Sequence, residues 1–175
     1  GLLAADLLTT VSPTYAQEIQ NSYFGENLDG VLRQRKSRLS GILNGIDTNK
    51  YDPLIDPHLA VNYRSSLCKK GENKKALQEI LNLPVRVDLP LIALVSRLVD
   101  QKGLDLMAHV LEEMLSMELQ MVILGTGDQK YEEMFSHFAH KYPFKIAVRI
   151  MFNEALAHQI YAGADMLLMP SQYEP

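Results

Sequence analysis

Cysteine is almost missing from the chain: Cys68 stands alone among 175 residues. A single thiol makes neither an internal disulfide nor a zinc cluster, which fits a reducing compartment. No apolar run approaches the roughly 18 residues that a membrane-crossing helix needs. Gly1-Leu2-Leu3 is apolar but lacks the basic start and cleavage context of a signal peptide. Basic charge is in deficit, with a net charge of -4, which argues against a nucleic-acid surface. No complete GxGxxG, no Walker GK[ST], no Ser-His-Asp order and no nucleophile elbow is present. The histidines are His58, His109, His137, His140 and His158. His137 and His140 are three apart on one predicted helix, but no third ligand has suitable spacing, so all five read as surface or internally satisfied side chains. There is no internal repeat and no low-complexity segment.

What is present is ordinary core-building material, 47% hydrophobic and 22% charged. The eight methionines fall mostly at predicted core positions and read as filler. Ala4 to Val11 reads as a strand. Ser12-Pro13 starts a helix through Ile19, with Ser as N-cap and Pro at the first helical position. Asn21 to Gly30 is polar and loop-like. Arg33, Arg35, Lys36 and Arg38 follow, either a solvated helix face or a contact for an acidic partner. Leu39 to Leu43 is a short strand candidate, and Asn44-Gly45 is expected to turn, since both residue types tolerate positive φ. Asp47 to His58 carries Pro53 and Pro57 without periodicity, as a linker does. Lys69 to Leu81 is helical in pattern, with Ala76, Leu77, Ile80 and Leu81 expected on its apolar side.

From Leu91 the order becomes regular. Strands are expected at Leu91–Val95, Met121–Leu124, Ile146–Ile150 and Asp165–Met169, and helices at Gly103–Met117, Gln129–His140 and Glu154–Ala162. Asn153 is the expected N-cap of the last helix and Gly163 its C-terminal cap. Strands alternating with helices of this length mean βαβ units and a parallel sheet, so the fold class is α/β and Rossmann-like. In such sheets ligands bind beyond the carboxyl ends of the strands.

Three strand-to-helix turns carry candidate chemistry. The first, Val95 to Gly103, holds Arg97 and Lys102 close to a helix N-terminus, where free N–H groups already favour an anion. A phosphate or diphosphate is the expected ligand. The second is Gly125-Thr126-Gly127-Asp128, which either admits a ligand close to the backbone or is a turn built of good turn residues. In the third, Met151-Phe152-Asn153-Glu154, the ring of Phe152 either lies beside a bound base or staples the next helix. Beyond the fourth strand, Glu174 either accepts hydrogen bonds from sugar hydroxyls or is an acid favoured by a helix dipole.

Taken together, the stretches VSPTYAQEI (Val11–Ile19), SGILNGID (Ser40–Asp47), VSRLVDQKGLDL (Val95–Leu106), LGTGD (Leu124–Asp128) and EALAHQIYAGADMLLMPSQYEP (Glu154–Pro175) resemble bacterial and plastid-type glycogen and starch synthases. The likeness runs over nearly the whole chain. It implies a partial GT-B fold of glycosyltransferase family 5. Residues 1–50 would end an N-terminal Rossmann-like domain, 51–64 would be an interdomain linker, and 65–175 a truncated nucleotide-sugar-binding domain. A piece of a longer enzyme is therefore expected, lacking most of the acceptor site and inactive alone.

The resemblance further implies a retaining glucosyltransferase that moves glucose from ADP-glucose or UDP-glucose to the non-reducing end of an α-1,4-glucan. It implies no metal or other cofactor, no nucleic acid and no membrane, and a cytoplasmic setting in bacteria or a plastid in plants. Carried over, Arg97 and Lys102 would hold the donor diphosphate, Glu174 the hydroxyls of the donor glucose, and Asn44 would lie near the sugar. Phe152 would stack on the base, and Gly127 and Asp128 would line the nucleotide cleft. Met151 departs from the family's usual Gly. Two alternatives stay open: another GT-B enzyme of the sucrose or trehalose type, and a non-catalytic nucleotide-binding module.

Overall fold

The computed structural model describes residues 1–173, which fall into two units: Gly1–Asp47 with Tyr173, and Thr48–Gln172. In the first unit, β1 (Leu8–Thr10) lies parallel to β2 (Leu39–Gly41), with Leu8 opposite Leu39. Helix α1 (Pro13–Glu18) leaves β1 through Ser12, whose side chain accepts the Tyr15 N–H at 2.9 Å and so satisfies one of the orphan donors of the first turn. The paired part of β1 is shorter than the apolar run from Ala4 to Val11 suggested.

Helix α2 spans Asp29–Gln34. The basic stretch around it is largely the solvated face expected, with Arg33, Lys36 and Arg38 exposed, although two of its members also hold the unit together. Arg33 pairs with Asp29 at 2.6 Å and donates to the Gln20 carbonyl at 2.8 Å, while Arg35 donates to the carbonyls of Leu3 and Ala5. The expected turn at Asn44-Gly45 is not made: residues 42–47 run on without one, and neither residue takes a positive φ. The reason is that Ile42 still donates to the Thr10 carbonyl at 2.8 Å, which carries the chain straight past the end of β2.

The second unit begins with the irregular segment 48–66 and then α3 (Leu67–Leu81), capped by Ser66 at its start and closed by Asn82 in the left-handed region at φ 59. The buried side of α3 is Asn73, Lys74, Leu77, Gln78 and Leu81, not the expected apolar face, and Ile80 is exposed. The polar members earn burial by holding loops. Asn73 accepts from Val61 N–H at 3.2 Å and donates to its carbonyl at 2.8 Å. Lys74 Nζ donates to the carbonyls of Val87 and Leu89 and to Asp165 at 2.6 Å. Gln78 donates to Gln120 at 2.6 Å, which in turn donates to the Pro84 carbonyl at 2.8 Å. Buried polar groups cost little when they find such partners, and of these side chains Gln78 Oε1 alone accepts no hydrogen bond among the described residues.

Four parallel strands follow: β3 (Leu91–Val95), β4 (Gln120–Gly125), β5 (Ile146–Ile150) and β6 (Met166–Leu167), in spatial order β5-β4-β3-β6. Leu91 stands opposite Gln120 and Met121 opposite Ile146. Both faces of β3 and β4 are covered, so these strands read as nearly unbroken apolar runs, whereas Met166 and Leu167 of the edge strand β6 are exposed. Leu94, Met121, Ile123 and Ile146 face α4 (Leu104–Ser116) and α5 (Gln129–Lys141), where Met107, Leu111 and Phe135 pack. Leu91, Ala93, Val122 and Leu124 face α3 and α6 (Glu154–Gly163), where Leu77, Leu81 and Ile160 pack.

Gly163 does not cap α6 as expected. It is the last helical residue, with Ala164 as cap, and a β-carbon there would press on the Asn73 carbonyl and Leu77 at 3.0 Å. Its smallness lets α6 lie close on α3. At the entry to β6, Asp165 accepts from the Leu91 N–H at 2.7 Å as well as from Lys74. Replacing Lys74 by Met keeps the stem but strands two loop carbonyls and this carboxylate. With Asp165 partly open to water, the expected loss is about 2 kcal/mol, read as a lower urea midpoint.

Candidate functional site

The strand ends of the second unit open into a cleft of about 280 Å³. Its floor is Val95, Ser96 and Arg97 after β3 and Leu124, Gly125 and Thr126 at the end of β4. One side is the β5–α6 turn, Met151 to Asn153, and the face of α6 made by Glu154, Ala157, His158 and Tyr161. Tyr51, from the segment before α3, completes the lining. This is the position at which open parallel sheets bind ligands.

The floor is built by backbone pairing that runs on past the strands. Ser96 N–H donates to the Leu124 carbonyl at 3.1 Å, Leu98 N–H to Thr126 at 3.0 Å, and Asp128 N–H back to Leu98 at 2.7 Å. Leu98 and Gly127 form a parallel bridge. A β-carbon on Gly125 would stand well inside contact distance of the Ser96 carbonyl oxygen, and one on Gly127 inside that of Leu98. The two glycines therefore serve the approach of one loop to the other, and neither simple reading of the GTGD turn anticipated this. Leu98 is fully buried beneath the loop while its neighbour Arg97 is exposed. Alternation along this extended stretch is what turns Arg97 outward.

The rest of the β3–α4 loop is pinned to α5. Asp100 opens a 3-10 turn (Asp100–Lys102) and takes hydrogen bonds from Lys130 at 2.6 Å and Tyr131 at 2.5 Å, which hold its carboxyl below the ordinary range. Gly103 follows at φ 64, and a β-carbon there would meet the Pro170 carbonyl oxygen. Glu132 braces the β4 loop by accepting from Gly127 N–H at 2.8 Å and Thr126 Oγ1 at 2.7 Å. These two bonds lower its pKa.

The α6 wall is ordered by its own cap and by a buried pair. Asn153 accepts the Leu156 N–H at 2.9 Å. His158, buried, lies 2.5 Å through Nδ1 from the equally buried Asp56. Burial by itself pushes the Asp56 carboxyl up. The His158 hydrogen bond, the His58 amide and the two imidazoles outweigh this and leave it below its usual value. Asp56 is thus the anionic acceptor and Nδ1–H the donor. The opposite nitrogen, Nε2, has no hydrogen-bond partner among the described residues. Phe152 is 90% exposed, so it does not staple α6 but stands at the cleft rim.

Of the residues singled out from sequence, Arg97 and Phe152 line this cleft. Arg97 has no ion-pair partner among the described residues. Gly127 and Asp128 lie just beside it in the loop that forms its floor. Lys102 ends the 3-10 turn of the same β3–α4 loop, partly buried and not among the lining residues. Asn44 is exposed in the other unit. Glu174 lies outside the described residues. Sequence reasoning missed Tyr51, Ser96, Thr126, His158 and Tyr161. The spacing of Glu154, Ala157, His158 and Tyr161 is that of one helix face, and Asn153 as N-cap orients it; that signal was available for the α6 wall. Nothing local pointed to Tyr51.

Comparison with known proteins places this geometry in a class. A family model described as glycosyl transferases group 1 matches residues 76–175, and one described as starch synthase catalytic domain matches residues 1–34. The first covers more than half of the chain, and the chain belongs to the group 1 glycosyl transferases. Within that class it is similar to bacterial glycogen synthases: 53% identical to that of Desulforamulus reducens over the whole chain and 37% of the relative, and 55% identical to that of Thermosipho africanus over the whole chain and 36% of the relative. The chain thus spans little more than a third of the length of these curated relatives.

Among solved structures, the catalytic domain of starch synthase IV from Arabidopsis thaliana, bound to ADP and acarbose, matches with a TM-score of 0.92 at 35% identity, over 99% of this chain and 36% of that one. The expected α/β, partial GT-B fold is borne out by this match. A glycosyltransferase from Rickettsia africae, at 15% identity and a TM-score of 0.62 over 95% of this chain and 38% of that one, shows the fold alone.

The loop geometry makes two predictions. Gly125→Ala must push backbone against backbone and is expected to cost about 1–3 kcal/mol, as overpacking does, seen in thermal or urea unfolding. The stabilisation from Glu132, whose folded pKa lies below its ordinary 4.5, is complete above that value and is lost as pH falls through the folded one. Glu132→Gln should flatten the acid limb of the stability–pH curve by lowering its neutral region, with the most acid region little changed.

Proposed function

We propose that the cleft at the ends of β3, β4 and β5 binds the nucleotide half of a nucleotide-activated glucose. The whole protein then transfers that glucose, with retention, to the non-reducing end of an α-1,4-glucan. The observation that carries the reading is Arg97: a guanidinium turned out of the sheet floor by the buried Leu98, at one end of a cleft otherwise lined largely by apolar and aromatic groups. An anion at the strand ends and a flat organic group further along is the ligand such a cleft matches. The ADP and acarbose named for the Arabidopsis structure and the glycogen synthase relatives support the same reading.

The chemistry follows from where charge grows. As the glycosidic bond to phosphate breaks, negative charge collects on the departing diphosphate. A fixed cation there stabilises the transition state more than the ground state. Arg97 offers a planar fork that can pair two phosphate oxygens at once, and Lys102, from the same loop, a compact charge. The pinned loop means that little reorganisation is needed when charge develops. Phe152 stands at the rim for the base. Glu174 and Asn44 are assigned to glucose by the family resemblance. ADP-glucose and UDP-glucose both remain donors under this reading, and the bacterial cytoplasm or a plastid is the matching compartment.

Titration calorimetry with ADP tests the site. Arg97→Ala is expected to weaken binding by about tenfold or more, the worth of a charge-assisted contact. Equal affinity for the wild type and for Arg97→Ala would remove Arg97 from the site.

A further inference from the structure

One wall of the cleft comes from outside the strand–helix units. The segment 48–66 is fastened along α6 and α3 at successive points. Lys50 pairs with Glu154, Asp56 accepts from His158 at 2.5 Å and from the His58 amide at 2.9 Å, and Gln159 donates to the His58 carbonyl at 3.1 Å. Between the first two of these, Tyr51 lays its ring parallel to that of His158, with centroids 4.7 Å apart and planes 11° apart. Tyr51 is still 47% exposed and lines the cleft. An aromatic ring with one face seated on a buried imidazole and the remainder open to a cavity resembles a stacking platform more than a core residue.

We propose that Tyr51 is a binding residue for the nucleoside part of the nucleotide, and that the buried Asp56–His158 pair is the positioning device that holds its ring in the cleft. This rests on the nucleotide reading above and adds to it a contact from outside the sheet. The charge distribution favours the nucleoside over the phosphates at this wall. Lys50 is neutralised by Glu154, and the α6 side of the cleft presents Ala157 and Tyr161 beside Glu154 and His158, whereas Arg97 lies at the strand ends. A base or ribose loses little water against such a surface and gains dispersion from it. The pair suits a positioning role because an ionised Asp56 fixes the Nδ1–H tautomer and the ring plane of His158 together, and Tyr51 inherits that plane.

The test measures two probes on the full chain: ADP, which carries a nucleoside, and inorganic diphosphate, which does not. Tyr51→Ala is expected to weaken ADP about tenfold and leave diphosphate within about twofold, while Tyr51→Phe keeps ADP within about threefold. Asp56→Asn should reproduce the Tyr51→Ala pattern, and its effect on ADP should vanish when Tyr51 is already Ala, as coupled positions show. Unchanged ADP affinity in Tyr51→Ala overturns the proposal, and so does an equal loss for both probes, which would mean general damage to the cleft. If Asp56→Asn fails to fold, the half-exposed Tyr51 variants decide. Loss of the nucleotide reading looks different: ADP would then be insensitive to Arg97→Ala, whatever happens at Tyr51.

Discussion

The site depends on a backbone ladder that does not stop where its strands do. Past Val95 and Leu124 the two chains keep exchanging hydrogen bonds through Ser96, Leu98, Thr126 and Asp128. Loops at the ends of parallel strands usually part, because each must reach its own helix. Here they can stay together only because residues 125 and 127 have no β-carbon to hold them apart. The extended pairing buries Leu98 and, by the period of two, exposes Arg97. Position and direction of the cation thus come from the same interaction, and the anchoring of Asp100 on Lys130 and Tyr131 keeps the remainder of the loop from moving.

A second theme is the use of buried polar groups as fasteners for irregular chain. Segments 48–66 and 83–89 have little regular structure of their own. Each is held by side chains of α3 or α6: Asn73 for one, Lys74 and Gln78 for the other, His158 for Asp56. Unsatisfied, such groups would cost more than an apolar core. Satisfied, they fix loop geometry in a way that non-directional apolar contact does not. The cleft wall carrying Tyr51 is a direct product of this arrangement.

Much of the fold was legible in the residues. β3 falls where an apolar run of five residues, bounded by loop residues, placed it, and β5 where the run Ile146–Ile150, interrupted by Arg149, did. The N-caps Ser12 and Asn153 were readable because an oxygen-bearing side chain before a helical pattern has one obvious use. The readings that went wrong share a cause, since each needed a contact distant in sequence. Ile80 looked inward by pattern, but α3 turns Asn73, Lys74 and Gln78 to the interior because loops far along the chain need their hydrogen bonds. Gly163 looked like a cap, yet its role is to admit Asn73 and Leu77 of α3. For Gly125 and Gly127, read as ligand-approach or turn glycines, what stayed hidden was the close backbone of residues 96–98. In the site itself, Arg97 and Phe152 were visible as local motifs, while Tyr51 and the Asp56–His158 pair were not, because 102 residues separate the members of that pair.

Site-resolved amide hydrogen exchange at Leu98 and Asp128 tests the ladder itself most directly. If pairing continues beyond the strands, both amides should exchange only with the opening of the sheet, at protection comparable to those of β3 and β4. Exchange as fast as in an exposed loop, with the strands still protected, would contradict the account, because the pairing that turns Arg97 outward would then be missing.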